Sequence, residues 1–339
     1  MKLLKYILLF IFSLLLNRNV SATEIVVVEK NAILTNITSN WSITKLTKLS
    51  NDLANAPPAF KNKIIQNPQL VEAWERVYST ASNGAPILRK DIDVLTALGK
   101  FDNTLINKIE TNKFDNFLSK LIDAHPKCKT CGNSGDALVG NLDEVLDNFY
   151  KVVTQRVIKP DGSFISGFDD FIIEAGEQAS KAKGASLTLS KLADDVTWTE
   201  MTNGGWQLKR FEGNIPDIET GHKLDVMFER FNPNTGSTEI KAVEMKNWSQ
   251  ARSISGTTYN QFKAYISSGN EFVYYFSDGL QNSMKNNFQN VFKDATKAQE
   301  LWNLNPAFFQ GLSPDINIVD DLIDMANDGD LIDLINFVK

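Results

Sequence analysis

The 339-residue chain holds only two cysteines and two histidines. Two cysteines rule out a four-cysteine metal centre. His125 and His222 sit in no recognisable setting with a serine and an acid, so no activated-serine arrangement competes for the chemistry. Beyond the first residues no apolar run is long enough to span a bilayer, and neither low-complexity tracts nor internal repeats are found. Positive charge is also scarce, with 35 Lys and Arg against 41 Asp and Glu, net −6. Such a balance counts against a non-specific nucleic-acid binder, because attraction to phosphate carries most of that affinity.

What is present begins with a short basic start, Met1 to Lys5, an apolar run from Tyr6 to Leu16 broken only by Ser13, and small residues at Ser21 and Ala22. This is the pattern of a secretory signal peptide cleaved after Ala22, and it predicts a secreted or periplasmic protein without stable membrane association. Cleavage removes Lys2, Lys5 and Arg18 and no acid, leaving 32 basic residues against 41 acidic ones, net −9. Part of that excess lies near the C-terminus, where Asp315, Asp320, Asp321, Asp324, Asp328, Asp330 and Asp333 face the single base Lys339.

Four segments are expected: the signal peptide at 1–22, a helical region at 23–160, an α/β domain at 161–303 and an acidic amphipathic tail at 304–339. In the second, apolar residues recur at helical spacing (Leu46, Leu49, Leu53, then Leu70, Val71, Trp74, Val77), with Pro57-Pro58 separating helices. One helix is predicted near 101–122, and Asn141 with Glu144 fits the start of another. No catalytic cluster stands out, so a packing or delivery role is expected. Cys128-Lys129-Thr130-Cys131 interrupts this region. In an exported chain the pair reads as a local disulfide; a zinc site would need His125 and a fourth ligand, and a redox role would need a βαβ context not seen.

From about residue 163 the pattern changes. One helix is predicted over 168–183, then strands at 206–211, 224–231 and 239–246, a helix at 258–267, a strand at 272–276 and helical spacing over 284–302. Turn formers fill Phe231 to Ser237, so the second and third strands should pair. In Ala242-Val243-Glu244-Met245-Lys246, alternation puts Glu244 and Lys246 on one face and Met245 on the other. Pairing would bring Asp225 near Glu244. Two carboxylates with an ammonium beside them suit a hard divalent cation and a phosphate. On the next helix Gln261 and Tyr265 lie one turn apart on a common face.

Asp225, the turn, Glu244-x-Lys246 and Gln261-x-x-x-Tyr265 together resemble the signature of the restriction-endonuclease-like nucleases, the PD-(D/E)xK superfamily, over about residues 165–280. The approach Gly221-His222-Lys223-Leu224-Asp225 is one residue longer than that pattern, and Asp217 offers a rival acid. The resemblance implies an α/β restriction-endonuclease-like core, a mixed sheet flanked by helices, preceded by a mostly α-helical domain. It implies Mg²⁺ or Mn²⁺ held by Asp225, Glu244, the Met245 carbonyl and a first-helix glutamate, Glu174 in preference to Glu177. It gives Lys246 and Gln261 catalytic roles. Gln261 and Tyr265 could orient Lys246 or contact a substrate phosphate; Tyr265, Lys263 and Arg252 are expected at the substrate, and Trp206, Lys209, Arg210 and Trp248 could add an aromatic and basic rim. With the leader, this arrangement resembles bacterial polymorphic toxins. The expected function is an exported metal-dependent nuclease toxin acting on nucleic acid, DNA by family habit, with a cognate immunity protein. A scavenging nuclease fits the same chemistry, and a non-catalytic secreted interaction protein is the alternative of another class. The tail is expected to pack on the nuclease domain or to mimic nucleic-acid charge.

Overall fold

A computed structural model describes residues 38, 40–80, 86–125, 138–214 and 223–339. The segment assigned to the signal peptide, Cys128 and Cys131, Asp217 and His222 all lie outside those residues.

Amphipathic helices build the N-terminal region: α1 (Ile43–Ala54), α2 (Pro58–Gln66), α3 (Pro68–Thr80), α4 (Ile92–Leu98), α5 (Asn103–Ile109), α6 (Thr111–Ala124) and α7 (Leu142–Gln155). In α6, Phe114, Phe117, Leu118, Leu121 and Ile122 form a buried stripe at the i, i+3, i+4, i+7, i+8 spacing that turns one helix face to a core. The single helix predicted near 101–122 is two, α5 and α6, because Glu110 between them adopts φ 72. No glycine or proline marks that break. Asn141 occupies the N-cap position of α7, yet its side chain makes no capping hydrogen bond.

The run predicted as one helix over 168–183 also divides, into α8 (Phe168–Ala175) and α9 (Ala179–Ala193), followed by α10 (Asp195–Thr202). Gly176 ends α8 where α6 crosses it. A Cβ there would stand 3.2 Å from that of Asn116 and 3.3 Å from the Phe117 nitrogen, so the two helices close up on a residue without a side chain. At the other end of α8, Gly167 holds φ 79, and a Cβ would collide with the Phe211 carbonyl oxygen. That contact ties the helix to the first strand.

The sheet follows: β1 (Gln207–Asn214), β2 (Lys223–Asn232), β3 (Ser237–Lys246), then α11 (Gly256–Ser268) and β4 (Glu271–Phe276), in spatial order β1-β2-β3-β4. The β1–β2 and β2–β3 pairs are antiparallel, while β3 and β4 run parallel with α11 as their crossover. The protein is therefore a mixed α/β structure. Val226, Phe228, Val243, Met245 and Tyr275 face the core built with the N-terminal helices, whereas Met227, Ala242, Phe272, Tyr274 and Phe276 face a second core. Helices α12 (Gln281–Phe292), α13 (Ala295–Leu304), α14 (Pro306–Gln310), α15 (Val319–Asp328) and α16 (Leu331–Leu334) follow β4, and buried side chains of all five join that second core. The helical spacing read over 284–302 is divided between α12 and α13 by Asp294, whose carboxylate accepts from the Thr296 and Lys297 amides. Among the described residues no helix is long and apolar enough to cross a membrane.

The acidic tail belongs to this second core. Ile316, Leu322, Ala326, Leu331, Ile335, Phe337 and Val338 are buried in it. Residues 337–339 also lie along the outer edge of β4: the Tyr274 amide donates to the Phe337 carbonyl (2.7 Å), and the Lys339 amide donates to that of Tyr274 (2.8 Å). A three-residue segment is too short for alternation to announce it as a strand.

Candidate active site

Period-two alternation along β3 turns Glu244 and Lys246 to the α11 side. Glu244 is only 3% exposed, and both its oxygens are engaged. Lys246 Nζ donates to Oε1 at 2.5 Å and the Tyr265 hydroxyl donates to Oε2 at 2.7 Å. Lys246 Nζ also donates to Gln261 Oε1 at 3.0 Å. One turn of α11 thus supplies both groups that fix the β3 pair, because i and i+4 share a helix face. Burial first, and then the Glu244 charge, push the Tyr265 hydroxyl well above the usual tyrosine range, which keeps it a proton donor to Glu244.

Asp225 sits where the sheet opens. The β2–β3 register runs from Asn232↔Ser237 to Val226↔Val243 and ends there. At the next position Asp225 Oδ2 accepts from the Met245 amide at 2.6 Å, so a side chain takes the place of a ladder carbonyl. Beside it lies a pocket of about 170 Å³ lined by Asp225, Met245, Glu174, Glu212 and Lys181, among others. Desolvation, then the neighbouring Glu244, push the Asp225 carboxyl well above the usual carboxylate range; Lys246 and the Met245 amide oppose the shift, and Glu212 adds to it. Glu212 is one of two non-glycine residues with positive φ among those described (φ 49). Tyr274, paired with Glu244 in the β3–β4 register, is fully buried, and its hydroxyl has no hydrogen-bond partner among the described residues.

Of the other expected site residues, Glu174 lines the pocket, where Oε1 accepts from Lys181 at 3.0 Å. Glu177 Oε2 also accepts from Lys181, at 2.7 Å, and does not line the pocket. Of the three residues expected at the substrate, Tyr265 needs correction and the other two are engaged elsewhere. Tyr265 is 1% exposed and its hydroxyl is spent on Glu244, so it positions that carboxylate and does not reach a substrate. Lys263 pairs with Glu300 at 2.8 Å beside the Tyr259 ring, and Arg252 lies over Trp248 at 5.4 Å; neither lines the pocket. The suggested rim is likewise dispersed. Trp206 is buried, with Arg230 and Lys241 close over its ring. Lys209 pairs with Glu229, and Trp248 packs against Phe276. Glu212 and Lys181 are the charged pocket residues that the sequence pattern did not mark.

Hard oxygen donors are the chemistry that Mg²⁺ or Mn²⁺ requires. Among the described residues, however, no three His, Cys, Asp or Glu are grouped so as to hold a metal. Mg²⁺ is ordinarily taken by one or two carboxylates together with waters and substrate phosphate, so Asp225 and Glu244 with the Met245 carbonyl remain a compatible donor set. Burial first, and then the Glu244 charge, raise the Asp225 pKa, and a bound cation would offset both.

The Asp225 shift has a consequence for stability. The folded protein holds this proton above the ordinary carboxylate range, where the unfolded chain has released it, so wild-type stability falls as pH rises through that window. Asp225→Asn keeps an oxygen for the Met245 amide and removes the charge. Its melting temperature should gain on the wild type from the ordinary carboxylate range upward and level off above the folded pKa of Asp225. Parallel pH dependences for the two proteins would show that Asp225 is not strained by burial.

No protein-family model, curated protein or solved structure matches this chain.

Proposed function

We propose that this protein is an exported, metal-dependent nuclease that hydrolyses phosphodiester bonds. The observation that carries the reading is the hydrogen-bonded set Glu244, Lys246, Gln261 and Tyr265 standing beside Asp225 at the point where β2 and β3 part. Asp225, Glu244 and the Met245 carbonyl would hold Mg²⁺ or Mn²⁺, which when bound acidifies a water and screens the phosphate. Lys246 then supplies a cation directed by Glu244 and Gln261, donating to the attacking water or to the oxygen that gains charge. Tyr265 and Gln261 act through Glu244 and Lys246, holding their rotamers against the pull of the substrate. The basic start and the apolar run from Tyr6 to Leu16 support export, and a toxin with a cognate immunity protein or a scavenging nuclease would employ the same site.

A second reading, a non-catalytic interaction protein, is favoured by one feature: Glu244 is almost fully buried with both oxygens already bonded. Nicking of supercoiled plasmid, with a parallel RNA substrate, decides between them. Cleavage should require Mg²⁺ or Mn²⁺, stop with chelator and vanish in Asp225→Ala. Wild type inert on DNA and RNA under both metals would establish the non-catalytic reading.

A further inference from the structure

Among the described residues, the Asp225 pocket is lined by three acids, Glu174, Glu212 and Asp225, and by one cation, Lys181. A phosphodiester brought to Asp225 adds another negative charge to that set. Lys246 cannot serve the whole strand, being held to Glu244 and Gln261. Lys181 stands in the first turn of α9, where Gln178 gives no side-chain cap to the helix amides. Beyond it α9 borders the pocket with Gly184, Ala185 and Thr188, and a Cβ added at Gly184 would meet nothing within 4 Å. The space beside Lys181 is therefore open.

Two carboxylates hold the Lys181 amine now, Glu177 at 2.7 Å and Glu174 at 3.0 Å. Those bonds, Glu177 first, keep its pKa above the ordinary lysine value, so it is a cation throughout the neutral range. With its side chain 37% exposed and its partners 44% and 52% exposed, the pairing is of the solvated kind that exchanges at little cost. A phosphate offers the same amine a partner of equal charge type in a more confined place.

We propose that Lys181 is a substrate-binding residue of this site, which leaves Glu174 and Glu177 to grip a backbone phosphate adjoining the one cut at Asp225. The inference rests on the nuclease reading and adds to it a cation that offsets acidity in the pocket. Both DNA and RNA present this phosphate, so both are tested.

The full chain is titrated by fluorescence anisotropy, in chelator, with a labelled DNA duplex and with a labelled RNA strand of the same sequence. Lys181→Met should weaken binding of the preferred nucleic acid roughly tenfold. The slope of log affinity against log salt should flatten by about 0.9 for a duplex or about 0.7 for a single strand, the change expected when one phosphate is no longer neutralised. Lys181→Arg should restore both. In the cleavage assay Lys181→Met should raise KM far more than it lowers kcat. Gly184→Leu, which fills the open space without touching a charge, should weaken binding as well. Unaltered affinity and salt slope in Lys181→Met, beside an active wild type, would overturn the Lys181 role alone, as would equal losses in the Met and Arg variants. A wild type that neither binds nor cuts either nucleic acid would overturn the nuclease reading and this inference together.

Discussion

Lys246→Met is expected to lower phosphodiester cleavage by about 10²–10⁴-fold, the range associated with loss of a positioned proton donor or oxyanion partner. Stability must be separated from chemistry in that variant. Lys246 and Glu244 form a largely desolvated pair, with side chains 18% and 4% exposed. Removing the cation leaves Glu244 with the Tyr265 hydroxyl alone, and breaking a buried pair from one side costs about 3–5 kcal/mol. That is a large share of the roughly 5–15 kcal/mol that keeps a domain folded. The double variant Glu244→Gln/Lys246→Met removes both charges and should recover most of the lost melting temperature, since a neutral amide still accepts from Tyr265. It should recover no activity. Cleavage by folded Lys246→Met at the wild-type rate would reduce the ion pair to a structural element and remove Lys246 from the chemistry.

The parts of this site that can be read from sequence are those fixed by local periodicity. Alternation places Glu244 and Lys246 on one strand face, the four-residue step aligns Gln261 with Tyr265, and turn formers from Phe231 to Ser237 pair β2 with β3. Each depends on residues a few positions apart. Lys181 reaches the pocket only because Gly176 ends α8 and lets α9 return beside it, so its position depends on a helix crossing with α6. Glu212 enters through a left-handed backbone in β1, which a glutamate does not announce. Long charged side chains mislead in the other direction. Lys263 and Arg252 follow the catalytic strand closely in sequence, yet α11 turns Lys263 toward Glu300 on α13, and Arg252 folds onto Trp248. Tyr265 lies on the helix face that its spacing assigns, but its burial excludes the substrate contact expected of it.

Deleting residues 312–339 should abolish folding and not release an inhibited enzyme. The segment carries six large buried aliphatic or aromatic residues, Ile316, Leu322, Leu331, Ile335, Phe337 and Val338, and burial of each side chain contributes about 1.5–3 kcal/mol. Their sum is comparable to the whole stability of a domain. Phe337 alone lies within 5.2–5.5 Å, ring centre to ring centre, of Phe262, Phe272 and Phe288, and Phe337→Ala should cost about 3–5 kcal/mol in chemical denaturation. Loss of residues 337–339 also strips the Tyr274 backbone of its partners at the edge of β4, next to the strand that bears Glu244. The acids have a separate position: Asp320, Asp324 and Asp328 are exposed on the outer face of α15, while Leu322 and Ala326 face inward. Changing those three aspartates to asparagine should therefore leave the fold intact and shift cleavage by no more than about twofold, since isolated surface substitutions rarely disturb a distant site. A soluble, folded 1–311 fragment that cuts faster than the full chain would overturn this account, and a large gain from the three asparagines would identify charge mimicry as the cause.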